Sequence, residues 1–279
     1  MLEGRITKII SNQFTVCSNG VEYICNARGK FRNDNIIPVV GDYCDFDEEK
    51  KYIFEIKPRR NELIRPPIAN IDMALVVTSI KSPEISLSLL DKMLTIISLE
   101  NIEPIICFTK LDLMNNKKDK EQLKKIIKYY KSIGIKVVNN KNLFILKRTI
   151  KNKLIVLAGQ TGAGKSSILN KLNPKLNLKT NPISTSLGRG VHTTRCVELF
   201  TFGKCFIADT PGFSAIDLKG ISKQNIKDTF IEFKKYNCPY KDCSHIEEND
   251  CVVKKAVEDN EILSSRYNNY KSFIREAQK

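Results

Sequence analysis

Short stretches of alternating apolar and polar residues fill the first part of the chain: Arg5–Ile10, Phe14–Cys17, Val21–Cys25, Tyr43–Phe46 and Tyr52–Ile56. Gly, Asn and Asp separate them. A period of two over such lengths, punctuated by turn residues, predicts a small β-barrel or sandwich. Pro58 and the pair Pro66-Pro67 predict a linker. Beyond it the rhythm changes. Ala74–Ile80 and Pro104–Phe108 are continuous apolar runs with the character of buried strands. Leu87–Leu99 and Lys120–Ile133 carry helical spacing, and Ile135–Val138 and Lys153–Ala158 are again extended. Strands that alternate with helices predict a mostly parallel α/β sheet. Val197–Phe202 and Cys205–Ala208 add two strands to it. From about residue 221 the spacing is helical over Lys223–Tyr236, Val252–Asn260 and Ser264–Ala277.

Composition bounds the setting. A chain of 279 residues with 42% hydrophobic and 28% charged residues can bury a sizeable core. No apolar run approaches the roughly 20 residues that span a bilayer, and Met1–Arg5 carries no secretory signal pattern. A cytoplasmic protein without membrane contact is expected. Six of nine cysteines (Cys17, Cys25, Cys44, Cys107, Cys196 and Cys205) fall in the apolar pattern and read as small buried hydrophobes in a reducing compartment. The net charge of +15 suits a polyanion such as RNA, or equally a chain that is rich in lysine throughout. The loop Ala27–Arg32 mixes cations with Phe31. It suits either a nucleic-acid surface or a solvated hairpin tip.

Three motifs carry chemistry. Gly159-Gln160-Thr161-Gly162-Ala163-Gly164-Lys165-Ser166 fits G-x-x-x-x-G-K-[ST] between a strand and a helix, and Ser167 completes the segment. Its glycines turn successive N–H groups inward onto phosphate oxygens, and the helix N-terminus adds partial positive charge. Lys165 reaches the β- and γ-phosphates, and the Ser166 hydroxyl ligates Mg²⁺. Asp209-Thr210-Pro211-Gly212 follows an apolar strand. There Asp209 holds Mg²⁺ and the Gly212 N–H meets the γ-phosphate. Thr109-Lys110-Leu111-Asp112 also follows a strand and resembles the guanine-reading [NT]-K-x-D motif of GTPases. The Asp112 carboxylate accepts from the guanine N1–H and 2-amino groups, both of which adenine lacks. The Lys110 stem lies along base and ribose.

The base motif precedes the phosphate loop by about 50 residues, the reverse of the usual order. A circular permutation reconciles this with one shared sheet. Val40-Gly41-Asp42, Ile68–Asp72, Gly188–Arg195 and a Cys/His cluster complete a pattern that resembles the RsgA (YjeQ/YloQ) family of ribosome-dependent GTPases. The resemblance implies an α/β chain with an N-terminal OB-fold β-barrel (1–60), a circularly permuted P-loop GTPase domain (61–220) and a C-terminal zinc-binding helical domain (221–279). It implies GTP hydrolysis to GDP, the 30S subunit and its 16S rRNA as partners, and a role in late 30S maturation. A monomer is expected. One departure stands out. Asn139-Asn140-Lys141 occupies the place of the family's Ser-Ala contact to guanine O6, which is left unassigned.

Cys238, Cys243, His245 and Cys251 have the spacing C-x₄-C-x-H-x₅-C, a closed set of three thiolates and one imidazole for a structural zinc ion. Beside the Gly212 position, where Ras-like enzymes place a Gln, stands Phe213, which cannot position water. Slow intrinsic turnover is expected. His192, in the predicted switch I, is the candidate to orient water once a partner orders the loop, with Thr194, or else Thr193, closing on Mg²⁺. Two other functions fit the residues: an RNA-binding assembly chaperone without significant turnover, and a permuted GTPase acting on another ribosomal particle.

Overall fold

The computed structural model describes residues 1–27, 36–64, 66–141, 143–177, 198–203, 205–209 and 217–278. The chain divides into two compact units. One comprises residues 1–75, 142–158 and 165–213, the other 76–141, 159–164 and 214–279.

Five strands, β1 (Leu2–Ile10), β2 (Gln13–Ser18), β3 (Val21–Ala27), β4 (Tyr43–Asp47) and β5 (Tyr52–Ile56), close a barrel in the order β1-β2-β3-β5-β4. The period-two pattern sends Ile6, Phe14, Val16, Cys25, Cys44, Phe46 and Ile53 inward as its core. Closure removes the sheet edges.

The segment predicted as a linker instead forms a hairpin of β6 (Glu62–Ile64) and β7 (Pro67–Ala69). Pro67 is tolerated because it is the first residue of its strand. Asp42, fully buried, accepts from the Val39 N–H and from two nitrogens of Arg59, which ties the barrel's exit to this hairpin. The Asp72 carboxylate accepts from the Leu154 N–H at 2.7 Å. These segments, part of the resemblance, are therefore scaffold.

The remaining elements are β8 (Met73–Ser79), α1 (Leu87–Leu99), β9 (Glu103–Thr109), α2 (Lys117–Ser132), β10 (Lys136–Asn139), α3 (Leu143–Ile150), β11 (Leu154–Gly159), α4 (Lys165–Leu172), β12 (Leu199–Phe202), β13 (Cys205–Asp209), α5 (Lys223–Thr229), α6 (Val252–Glu258) and α7 (Ser264–Ala277). A six-stranded sheet runs in the order β10-β9-β8-β11-β13-β12. β9–β10 and β11–β13 pair in parallel, and β12 is antiparallel to β13. No described helix is long and apolar enough to cross a membrane.

The single helix predicted over Lys223–Tyr236 is broken. α5 ends at Thr229, whose hydroxyl donates to the Ile226 carbonyl, and a short 3₁₀ helix covers Ile231–Lys235. Phe230 sits at the break, stacked on Phe233 and edge-on to Tyr270. Aromatic packing overrides helical propensity there.

A buried ionic network fixes these elements within the second unit. Arg266 of α7 is 1% exposed and donates to Asp91 of α1 and to Glu232, each at 2.8 Å. Two carboxylates face one guanidinium, so their other lone pairs need donors. Tyr130 and Asn269 supply them to Asp91, and Tyr129 to Glu232. Removing the cation strands both carboxylates in the interior. Arg266→Ala should cost about 3–5 kcal/mol in urea unfolding, and a loss below about 1 kcal/mol would show that the carboxylates are satisfied without it.

Candidate functional site

Within the second unit, Thr109 ends β9 with its side chain buried. Its hydroxyl donates to the Ala163 carbonyl at 2.6 Å, across 54 positions of sequence. That bond fastens the Thr109–Asp112 segment to the glycine loop although the loop comes later in the chain. Lys110 has a left-handed backbone (φ 56°) that turns the chain off the strand into a 3₁₀ turn, Leu111–Leu113. The turn presents Asp112 to solvent in its first residues, and the Lys110 ammonium donates to the Ser82 carbonyl.

The loop itself needs its glycines. At Gly159 (φ 143°) a Cβ would lie 2.3 Å from the Val77 carbonyl oxygen. Gly164 adopts φ 99° beside Thr109, where a side chain would strain the backbone. Ala163 is fully buried, and its N–H donates to the Gln160 carbonyl at 3.1 Å. α4 opens at Lys165, with Ser166 and Ser167 half-buried in its first turn. A helix that starts where a glycine loop ends presents free amides to an anion.

In the first unit, the parallel register of β11 and β13 sets Asp209 opposite Leu157, two residues before Gly159. The Asp209 backbone ends β13. Thr210–Gly212, Phe213, the segment Gly188–Arg195 with His192 and Thr194, and most of the Ala27–Arg32 loop lie outside the described residues.

After β10, the Asn140 N–H donates to the Phe108 carbonyl at 3.2 Å and the Lys141 N–H to the Asn139 side chain at 3.0 Å. The Asn140 Oδ1 is buried without a hydrogen-bond partner among the described residues.

The second cluster is metal-like. The Cys238, Cys243 and Cys251 sulfurs and a His245 ring nitrogen all lie within 4.8 Å of one another. The Cys238 and Cys251 sulfurs are 3.8 Å apart, and the His245 Nδ1 is 3.5 and 3.4 Å from them. A tetrahedral ion with metal–sulfur bonds near 2.3 Å and metal–nitrogen bonds near 2.0–2.1 Å requires edges of roughly 3.8 and 3.5 Å. The donor set therefore fits a metal by type, and the Cys238, Cys251 and His245 donors fit it by separation. Burial pushes the Cys243 thiol up to about 12 and raises Cys251. Burial and the Lys227 charge lower His245. A bound divalent cation reverses the thiol shifts by taking the thiolates directly.

The ligand loop is held by residues that sequence reasoning missed. The Glu248 carboxylate accepts from the Ser244 and Ile246 N–H groups at 2.6 and 3.1 Å. Burial opposes its charge, but these donors win and hold its pKa at about 2. The Tyr267 hydroxyl donates to the His245 carbonyl and the Tyr270 hydroxyl to the Ser244 carbonyl. His245 itself has φ 60°.

A chain with a turn after β9 bonded to a later-encoded glycine loop, and with a Cys₃His cluster, is similar to known proteins over its whole length. The profile of the RsgA GTPase family matches residues 56–219, and that of the RsgA N-terminal domain residues 3–52. The chain belongs to the RsgA GTPase family. A relative from Oceanobacillus iheyensis, named small ribosomal subunit biogenesis GTPase RsgA 2, is 45% identical over 288 aligned positions, covering 100% of this chain and 98% of its own length. One of the same name from Listeria monocytogenes is 45% identical, covering 99% and 97%. Among solved structures, YloQ, described as a circularly permuted GTPase, superposes with a TM-score of 0.84 at 36% identity, covering 99% of this chain and 94% of YloQ. YjeQ from Thermotoga maritima gives 0.85 at 31%, covering 99% and 98%. The RsgA assignment accounts for the early position of Thr109–Asp112.

Proposed function

We propose that this RsgA-family GTP hydrolase acts on the small (30S) ribosomal subunit in its late maturation, hydrolysing GTP to GDP and phosphate. The relatives' names, for proteins that align end to end with this chain, support that partner. The hydrogen bond from the Thr109 hydroxyl to the Ala163 carbonyl carries the nucleotide reading, because it joins a base-reading turn to a phosphate cradle.

In this reading Thr109–Asp112 hold the base, with Asp112 accepting from guanine. Gly159–Ser167 cradle the phosphates, and Lys165 draws charge from the β- and γ-oxygens. Ser166, Asp209 and Thr194 would hold Mg²⁺, which neutralises charge on the phosphates when bound. The Gly212 N–H meets the γ-phosphate, and His192 orients the attacking water. Cys238, Cys243, His245 and Cys251 hold one zinc ion, structural because all four positions are protein ligands. The protein works in the cytoplasm as a monomer and grips 16S rRNA.

Phosphate release from GTP and from ATP, with and without purified 30S subunits, tests the reading. Slow release from GTP alone, stimulation by 30S and little release from ATP are expected. Equal turnover of both nucleotides, or co-migration with 50S particles, overturns it. His192→Ala should abolish most 30S-stimulated release while leaving GTP affinity intact. Unchanged stimulated release would remove His192 from the mechanism.

A further inference from the structure

The positive charge of this chain is concentrated in one stretch. Residues 122–197 contain no Asp or Glu and 16 Lys or Arg. The other 203 residues carry 30 cations against 31 acids and are close to neutral. General richness in lysine does not produce that contrast.

In the first unit this stretch builds α3, which packs beside α4. α3 uses Leu146 and Ile150 to bury itself, which leaves Lys147, Arg148 and the following Lys151 exposed. Lys171 of α4 is exposed as well. None of these four makes an ion pair with a described residue. Lys147 is held with its ammonium 5.4 Å from the centroid of the Phe202 ring. At the start of the same helix Phe144 is 76% exposed, next to exposed Ile145. A large aromatic left in solvent beside uncompensated cations is the pairing that single-stranded nucleic acid uses, with stacking on the ring and phosphates on the cations. A membrane surface fits less well, because an eight-residue helix that exposes Phe144 and Ile145 and buries Leu146 and Ile150 offers little apolar area to a bilayer.

We infer that α3, with the end of α4, is an RNA-binding surface separate from the barrel, on which Phe144 stacks an unpaired base while Arg148, Lys151 and Lys171 meet adjoining phosphates. The choice of RNA rests on the proposed function, but the site does not depend on the particle being 30S. The probe is a fluorescein-labelled single-stranded RNA of about twelve nucleotides, within the usual site size, titrated with full-length protein at several salt concentrations. R148E/K151E should bind at least about tenfold more weakly, with the slope of log K against log salt shallower by about 1.4 for two lost single-strand phosphate contacts. F144A should bind at least about fivefold more weakly with an unchanged slope. K124E/K128E, an equal charge change on exposed residues of α2, should have a much smaller effect. Binding by R148E/K151E within twofold of wild type, or an equal loss in K124E/K128E, overturns the inference. Wild-type protein that binds this RNA through Phe144 yet fails to sediment with 30S particles would retract the ribosomal partner and support this surface.

Discussion

Replacing Asp112 by Asn is expected to erase the preference for guanosine over adenosine nucleotides. The carboxylate is exposed on a one-turn 3₁₀ helix and makes no ion pair with a described residue, so its loss should leave folding unchanged. In the nucleotide complex it would accept from two donors of guanine. Hydrogen bonds to a charged group contribute about 1.5–3 kcal/mol each. The two together set a loss of roughly 10²–10⁴-fold in GTP affinity, which would abolish most of the discrimination against ATP. An Asn amide also donates, so the variant should gain affinity for xanthosine triphosphate, whose C2 carbonyl replaces the amino group. Calorimetric titration with the three nucleotides checks this. GTP binding within threefold of wild type would remove Asp112 from base recognition.

Withdrawing the metal should have a second large effect, on folding. Structural zinc contributes about 10–16 kcal/mol to the folding of small metal-dependent segments at neutral pH, as much as the whole stability of an ordinary domain. The loop Cys238–Cys251 contains little regular structure. Apart from the cluster, it is held by Glu248, Tyr267, Tyr270, the Lys227 contact to the Cys243 carbonyl, the Lys254 contact to the Glu248 carbonyl and Phe233 against the His245 ring. Chelation, or Cys243→Ser, should therefore unfold this loop, expose Tyr267 and Tyr270 to solvent and admit protease between residues 236 and 252. Added zinc should restore the wild-type protein and not the variant. Because the proposed ligands would bind the ion as thiolates, affinity should fall as pH is lowered through the neutral range. An unchanged proteolysis pattern in chelator would show that packing alone holds the loop.

Much of this architecture is legible in the sequence where one force acts alone. Leu87–Leu99 and Ser264–Ala277 are helices over the spans their periodicity predicts, and the barrel strands follow the alternation of period two. α3 shows no such signal. Its apolar residues run together at 143–146, and exposed Phe144 and Ile145 spoil any one-sided stripe. The β6–β7 hairpin is hidden by Pro66-Pro67, which read as a break until pairing with Glu62–Ile64 is seen. At the proposed site, the motifs stand out because binding phosphate, base and metal would each require particular residues at fixed spacing. Their supports do not. Glu248 reads as one more surface acid, and Tyr267 and Tyr270 as core aromatics, until the carbonyls and amides they hold are placed beside them. The Thr109–Ala163 bond is likewise a fact of three dimensions.

The Arg266 network carries a consequence for synthesis. Asp91 leaves the ribosome 175 residues ahead of the guanidinium that answers it. Contacts so distant along the chain are costly to close and slow to form. Throughout that interval the α1 carboxylate lacks its cation and has at most the Tyr130 hydroxyl, so the helix should stay loosely docked. Nascent chains arrested before residue 266 should remain sensitive to protease in α1, and those arrested well after it should acquire resistance in one step.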